Sequence, residues 1–195
     1  MSVLEIETPH GPARAHVRPA GDARGLLVLG HGAGGGVQAR DLVAAAGAAL
    51  AEDFSVVLVE QPYRVAGRKS PAPAAQLDAA WTAVVEHLAP TGVLVTGGRS
   101  AGARVACRTA AATGAAGVLC LAFPVHPPGK PEKSRLSELD DVSVPVLVVQ
   151  GMSDPFGMPP EAARRTVVTV PGNHSLTGDL ETLATSARDW LRLRV

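Results

Sequence analysis

Short apolar runs rich in valine and leucine recur along this chain of 195 residues and alternate with segments of helical periodicity. Six runs contain no charged residue, and they occupy residues 26–29, 55–59, 93–96, 118–122, 144–149 and 166–170. Unbroken apolar runs of this length are typical of strands that are covered on both faces of a sheet. Helical patterns lie between or after them, at residues 38–52, 74–89, 101–112 and 179–193. This alternation predicts an α/β fold in which a mostly parallel sheet lies between two helical layers.

Two further strand candidates precede this pattern. Residues 4–7 and 13–18 alternate between apolar and polar side chains, which predicts an antiparallel hairpin at one edge of the sheet. The sheet would then contain about eight strands or fewer, and no segment between strands is long enough for a helical cap. No linker divides the chain, so we expect one domain over residues 1–195.

The overall charge of the chain limits its partners. Lysine and arginine number 18, aspartate and glutamate also number 18, and the net charge is zero. This balance argues against a nucleic acid or an anionic membrane surface as partner. No segment has the length and apolar character of a membrane span, and no basic region followed by an apolar run marks a signal peptide. We therefore expect a soluble cytoplasmic protein, either a monomer or a homodimer.

The motif that carries chemistry is Gly98-Arg99-Ser100-Ala101-Gly102, which joins an apolar strand candidate to a helical pattern. In this strand–turn–helix context, G-x-S-x-G is typical of a sharp turn that holds its serine in a strained conformation. Small residues must flank such a turn, and the strain lifts the hydroxyl clear of the sheet. The sequence therefore predicts that Ser100 is a nucleophile.

Two other residues follow strand candidates in the order that a serine hydrolase of this architecture requires. Asp154 comes after residues 144–149, and His174 comes after residues 166–170. The order Ser100, Asp154, His174 matches the chain order of the triad in this fold. We expect His174 to accept the serine proton and return it to the leaving group, and Asp154 to fix the imidazole tautomer.

A glycine-rich loop, Gly30-His31-Gly32-Ala33-Gly34-Gly35-Gly36, follows the strand candidate at residues 26–29. A tetrahedral oxyanion needs two backbone N–H groups, and one is expected from Ala101, just after the nucleophile. The other is expected from the loop, from Ala33 or Gly34.

The same loop also fits G-x-G-x-x-G, which allows a dinucleotide-binding interpretation in which Glu60 binds the ribose. The spacing from Gly30 to Glu60 is longer than that motif requires, and His31 adds bulk to the turn.

Five side chains are candidates for contact with a substrate. Tyr63 and Arg64 belong to a loop with several cations. This is either a solvated basic loop, the interpretation that we favour slightly, or a clamp in which Arg64 holds an acidic group of the substrate. Arg99 lies beside the nucleophile, and it either faces the substrate or pairs with a surface acid. His31 adjoins the oxyanion loop, and His126 follows the strand candidate at residues 118–122. No paired cysteines or H-E-x-x-H pattern indicates a metal site.

Taken together, these motifs resemble the α/β-hydrolase superfamily, and in particular a small lidless branch akin to dienelactone hydrolases and testis-expressed-protein-like hydrolases. The matching pieces are His31-Gly32-Ala33-Gly34-Gly35, Glu60-Gln61-Pro62-Tyr63-Arg64, Gly98-Arg99-Ser100-Ala101-Gly102, Gln150-Gly151-Met152-Ser153-Asp154 and Gly172-Asn173-His174. The resemblance implies a serine hydrolase without a cofactor, acting on a small ester or thioester. Dienelactone hydrolases use cysteine where this chain has Ser100, which argues against lactone chemistry. The alternative is a non-catalytic interaction protein of the same fold.

Overall fold

The computed structural model describes residues 2–194, and an eight-stranded sheet lies at its centre. The strands are β1 (Ser2–Ile6), β2 (Ala13–Arg18), β3 (Gly25–Gly30), β4 (Phe54–Glu60), β5 (Val93–Arg99), β6 (Gly117–Leu121), β7 (Val146–Gly151) and β8 (Arg165–Val170). Their order across the sheet is β1-β2-β4-β3-β5-β6-β7-β8. The β1–β2 and β2–β4 pairs are antiparallel, and the other pairs are parallel. The predicted sheet and its edge hairpin are therefore confirmed.

Helices cover both faces of the sheet. They are α1 (Arg40–Leu50), α2 (Pro62–Val65), α3 (Ala74–Leu88), α4 (Ala101–Thr113), α5 (Ser137–Asp140) and α6 (Leu180–Arg192). Helix α1 packs against α6 on one face, and α3 packs against α4 on the other. The four long helices and the three-layer architecture are confirmed. The two four-residue helices were not predicted, because one turn is too short to show a helical period.

The packing of the core explains why apolar and polar side chains do not alternate along the central strands. Leu27 and Leu29 of β3 pack beneath α1 and α6, whereas Val28 packs with Trp81 of α3 on the opposite face. Successive side chains of a strand point to opposite faces of the sheet. Because helices cover both faces here, most positions of the central strands carry apolar side chains.

The parallel strands bring four functional segments to one edge of the sheet. The glycine-rich loop follows β3, Ser100 follows β5, Asp154 follows β7 and His174 follows β8. Parallel strands end at the same edge, which is where α/β proteins bind their ligands. Within residues 2–194, the four long helices pack against the sheet or against one another and the other two helices have four residues each, so no cap domain covers this edge.

Candidate active site

Ser100 occupies the turn between β5 and α4 in a strained backbone conformation. Its φ of +52° and ψ of −107° lie in a region that residues with side chains rarely adopt. Such strain costs about 1–3 kcal/mol and persists only where neighbouring contacts hold it. The N–H of Ser100 donates to the carbonyl of Leu121 at 2.9 Å, and its own carbonyl accepts from the N–H of Arg104 at 3.2 Å. Two main-chain bonds thus fix the serine on both sides.

The glycines around Ser100 are required by close packing of the main chain. A Cβ atom at Gly98 would lie 2.5 Å from the carbonyl oxygen of Gly30, and one at Gly102 would lie 2.5 Å from the Gly30 carbonyl carbon. Real Cβ atoms do not approach that closely. The turn therefore sits directly on the end of β3, and this contact explains both glycines of the G-x-S-x-G motif.

His174 lies between Ser100 and Asp154 and contacts both. Its Nδ1 is 2.8 Å from Oδ2 of Asp154, and its Nε2 is 2.9 Å from Oγ of Ser100. A carboxylate only accepts hydrogen bonds, so Nδ1 carries the proton and Nε2 is free to accept from the serine hydroxyl. The structure thus brings together the three residues that the sequence predicted, in a continuous chain of hydrogen bonds.

Asp154 is held rigidly at the end of β7. Its side chain is 1% exposed, and Oδ1 accepts from the Phe156 N–H at 2.8 Å. Oδ2 accepts from Nε2 of Gln150 at 2.9 Å, in addition to its contact with His174. These two donors fix the orientation of the carboxylate toward the imidazole. Sequence reasoning missed Gln150, although a glutamine that ends an apolar run such as residues 144–149 is a usable signal.

Two neighbours fix the position of His174 itself. The Phe156 ring stacks on the imidazole, with 4.1 Å between ring centroids and 28° between planes. The His174 carbonyl accepts from Nη2 of Arg99 at 3.0 Å. Arg99 also donates from Nε to Oδ2 of Asp41, at 2.7 Å. Its hydrogen bonds are therefore made with the His174 loop and with α1.

Asp41, in the first turn of α1, is the buried partner of Arg99. Its side chain is 1% exposed, and Oδ1 accepts from the Leu42 N–H at 2.8 Å. Burial raises the pKa of Asp41, and the positive charge of Arg99 opposes this rise. The ion pair links α1 to the loop that carries His174. Sequence reasoning missed Asp41 because the two partners are 58 residues apart.

Two of the three candidate oxyanion donors lie at the cavity beside the serine. Within residues 2–194, the main-chain N–H groups of Ala33, Gly34 and Ala101 donate to no main-chain carbonyl. Ala33 and Ala101 line a cavity together with Ser100, whereas Gly34 is exposed and does not line it. Of the two loop candidates, the geometry therefore favours Ala33. The Tyr63 hydroxyl donates to the Ala33 carbonyl at 2.9 Å and so supports the loop.

His31 lies beneath the same loop rather than in the cavity. Its Nδ1–H donates to the Gly32 carbonyl at 2.8 Å, and its Nε2 accepts from the Gln61 N–H at 3.1 Å. These two contacts define a neutral imidazole, and burial lowers the pKa of His31 accordingly. His31 and Tyr63 thus connect the loop to the end of β4.

Arg64 and His126 lie outside the cavity beside Ser100. Arg64 donates from Nη1 to the Arg68 carbonyl at 3.4 Å, and His126 donates from Nδ1 to the Pro127 carbonyl at 2.9 Å. Neither side chain lines that cavity. The sequence grouped both with the substrate-binding residues, and the structure does not bring them to Ser100.

The cavity has a volume of about 300 Å³ and opens beside Ser100. Its apolar walls include Leu77, Pro124 and Phe156. Three arginines also line it, namely Arg104, Arg108 and Arg135. Sequence reasoning missed all three, although the spacing of Arg104 and Arg108 places both on the same face of α4.

The dinucleotide interpretation of the glycine-rich loop finds no support in the site. Glu60, the proposed ribose ligand, lies 3.0 Å from Nε2 of His16. The loop does not lead directly into a helix, since α1 begins only at Arg40. A dinucleotide site of this type places the pyrophosphate at the helix N-terminus immediately after the glycines.

Among the histidine, cysteine, aspartate and glutamate side chains of residues 2–194, no three form a group that could hold a metal ion. In the same part of the chain, every helix is too short or too polar for a membrane-spanning segment.

Solved structures share this architecture over almost the whole chain. Est1E from Butyrivibrio proteoclasticus has a TM-score of 0.81 at 16% identity, with 100% of this chain and 99% of that chain covered. XC6422 from Xanthomonas campestris, a serine hydrolase without a lid, has a TM-score of 0.79 at 23% identity, with 98% and 94% covered. An α/β serine hydrolase homologue from Coxiella burnetii has a TM-score of 0.79 at 20% identity, with 97% of both chains covered. At these identities the likeness establishes a shared fold.

The family of the chain follows from its sequence. A comparison with curated protein sequences gives no match. A family model described as an alpha/beta hydrolase domain matches residues 23–186, a span that includes Ser100, Asp154 and His174. The chain belongs to the family of alpha/beta hydrolase domains.

Proposed function

We propose that this protein is a serine hydrolase that cleaves a small ester or thioester through an acyl-enzyme on Ser100. The observation that carries the proposal is the hydrogen-bonded chain from Ser100 through His174 to Asp154, with the serine held at a φ of +52°. Family membership supports the same chemistry, but one fold hosts many activities, so the geometry of the site carries more weight than the family.

Acylation uses the tautomer that Asp154 imposes. Oγ of Ser100 attacks the carbonyl carbon of the substrate while Nε2 of His174 accepts the hydroxyl proton. The resulting imidazolium is stabilised by the Asp154 carboxylate, 2.8 Å from Nδ1. The tetrahedral intermediate then collapses, and His174 returns the proton to the departing alcohol or thiol.

The oxyanion of that intermediate is stabilised by the N–H groups of Ala101 and Ala33. Removing one such donor costs about 10²- to 10³-fold in kcat in serine hydrolases. Deacylation repeats the sequence with water as the nucleophile, with His174 accepting a proton from water and returning it to Ser100. The proposed chemistry requires no cofactor.

The size and openness of the cavity favour small substrates. Long acyl chains are usually bound in deep apolar tunnels, whereas this cavity is uncapped and has a volume of about 300 Å³. We therefore expect kcat/KM to be higher for 4-nitrophenyl acetate and butyrate than for the dodecanoate ester. A preference for the dodecanoate ester would contradict this substrate class.

Labelling with a fluorophosphonate probe tests the nucleophile directly. The wild-type protein should be labelled, and the Ser100→Ala variant should not. Ser153→Ala is a matched control, because Ser153 is an exposed serine beside Asp154, and His174 forms its hydrogen bonds with Ser100 and Asp154 instead. Absence of labelling in the wild-type protein, together with no ester turnover, would favour a non-catalytic interaction protein of the same fold.

A further inference from the structure

The arginines that line the cavity beside Ser100 differ in their pairing. Arg104 donates to both carboxylate oxygens of Glu138, at 2.8 and 2.6 Å. Arg108 donates to both oxygens of Asp78, at 2.8 and 2.6 Å, and also to Glu138 at 3.2 Å. These two guanidinium groups are therefore held by carboxylates of the protein itself.

Arg135 also lines the cavity, but its guanidinium has no such partner. Within residues 2–194, its half-buried side chain makes no ion pair and no hydrogen bond, although Glu138 lies on the helix that begins two residues later. The main chain of Arg135 is fixed, because its N–H donates to the Val125 carbonyl at 2.6 Å. The backbone of Arg135 is thus fixed, and its positively charged side chain lines the wall of the cavity without a carboxylate in contact with it.

The balance of charge in this wall is positive. Three guanidinium groups face two carboxylates, because Glu138 is shared between Arg104 and Arg108. Burial, and then the nearby charges of Arg104 and Arg108, lower the pKa of Arg135, and the negative charge of Glu138 opposes this shift without contacting the guanidinium. An arginine still stays protonated at neutral pH, so the positive charge persists in a partly desolvated place. A charge in such a place is stabilised by an anion that enters the cavity.

The chemistry of the guanidinium selects the kind of anion. The planar guanidinium donates two parallel hydrogen bonds to the two oxygens of a carboxylate. A compact cation such as the lysine ammonium does not offer this geometry. The rest of the wall offers apolar contacts from Leu77, Pro124 and Phe156. This combination fits a short chain that carries a carboxylate at some distance from its ester bond.

We propose that Arg135 forms an anion subsite beside Ser100, and that the substrates are small esters or thioesters that carry a carboxylate. The inference rests on the proposed hydrolysis at Ser100 and adds the class of substrate. It transfers the acid-binding role that the sequence suggested for Arg64 to a residue that lines the cavity.

Matched ester pairs test the subsite. The carboxylate is on the acyl side in 4-nitrophenyl hydrogen adipate, with 4-nitrophenyl hexanoate as its neutral partner. It is on the leaving group in 4-acetoxybenzoate, with methyl 4-acetoxybenzoate as the neutral partner. The measured quantity is the ratio of kcat/KM for the charged ester to kcat/KM for the neutral one.

In the Arg135→Gln variant, this ratio should fall about 10- to 100-fold for at least one pair, as expected for loss of a hydrogen bond between charged groups. Arg135→Lys should retain part of the preference, because it keeps the charge but loses the fork. Arg64→Gln is the control, since Arg64 lies outside the cavity, and its ratio should equal that of the wild type. An unchanged ratio in Arg135→Gln for both pairs would refute the subsite while leaving the proposed hydrolysis intact.

A binding measurement keeps the inference testable without turnover. Calorimetry with 4-nitrophenyl hydrogen adipate and 4-acetoxybenzoate compares the Ser100→Ala protein with the Ser100→Ala, Arg135→Gln double variant. The double variant should bind at least one of the two esters about tenfold or more weakly. Equal Kd values in the two proteins for both esters would overturn the subsite, whatever the outcome of the labelling experiment on Ser100.

Discussion

The buried ion pair between Arg99 and Asp41 predicts a stability effect that depends on pH. The two side chains are 19% and 1% exposed, and 2.7 Å separates Nε from Oδ2. Among residues 2–194, Arg99 is the one cation that forms an ion pair with Asp41. The substitution Arg99→Gln therefore leaves a buried carboxylate without its compensating charge.

The size of the effect follows from the burial of Asp41. Removing one partner of a buried ion pair costs about 3–5 kcal/mol, out of a typical total stability of about 5–15 kcal/mol. Asp41 keeps one donor in the variant, the Leu42 N–H at 2.8 Å. We therefore expect the free energy of unfolding to fall by about 3 kcal/mol at about pH 8, the lower end of that range.

The pH dependence has a definite sign. Burial already raises the pKa of Asp41, and the loss of Arg99 raises it further, because that charge opposes the shift. Above the ordinary carboxyl pKa, the folded variant then binds more protons than the unfolded chain. Its stability therefore falls as pH rises through the elevated pKa of Asp41. The difference between variant and wild type should be smaller at about pH 5 than at about pH 8.

Urea unfolding followed by circular dichroism measures this difference at both pH values. The double variant Asp41→Asn, Arg99→Gln removes the buried charge and should recover part of the lost stability at about pH 8. Arg14→Gln is the control, since its 3.8 Å contact with Glu5 is exposed, and it should change stability by less than about 1 kcal/mol. Equal losses at both pH values, or no recovery in the double variant, would refute the reasoning.

Two further substitutions address the proposed catalytic residue Asp154 and the turn at Ser100. Asp154→Asn keeps the size of the side chain but loses the carboxylate that selects the Nδ1–H tautomer of His174, so kcat should fall about 10⁴-fold in an ester assay. Unfolding measurements should show a native-like stability for this variant, and a kcat near that of the wild type would exclude the role of Asp154. Gly98→Ala places a Cβ atom 2.5 Å from the Gly30 carbonyl oxygen, and we expect loss of both stability and fluorophosphonate labelling. Gly34→Ala is its control, because a Cβ atom at Gly34 meets nothing within 4 Å. Full labelling of Gly98→Ala would show that the turn tolerates displacement from β3.

The sheet and the long helices could be predicted because their signals are local. A central strand such as β7 is buried on both faces, which forces an unbroken apolar run that is visible in the sequence. The turn at Ser100 has a local signal too, because main-chain contact with β3 demands glycine at fixed positions. By contrast, α2 and α5 contain one turn each and leave no periodic pattern.

Charged side chains were predicted less well, because their partners are distant in the chain. The segment around Arg64 contains several cations, which made Arg64 a candidate for substrate binding, yet Arg64 lies outside the cavity. Arg135 has no distinguishing sequence context and lines the cavity. Arg99 was ambiguous between the substrate and an acid, and its hydrogen bond with Asp41 spans 58 residues.

The sequence by itself determined the layered α/β architecture and the order of Ser100, Asp154 and His174, since each depends on residues adjacent in the chain. Only the tertiary structure decided which charges neutralise one another, because ion pairing depends on how helices and loops meet in space. In the folded protein, Arg104 and Arg108 form ion pairs with carboxylates. Arg135 lines the cavity beside Ser100 and has no carboxylate partner among residues 2–194. The order of residues is therefore the basis of the chemistry that we propose for the site, and packing is the basis of the substrate class that we propose.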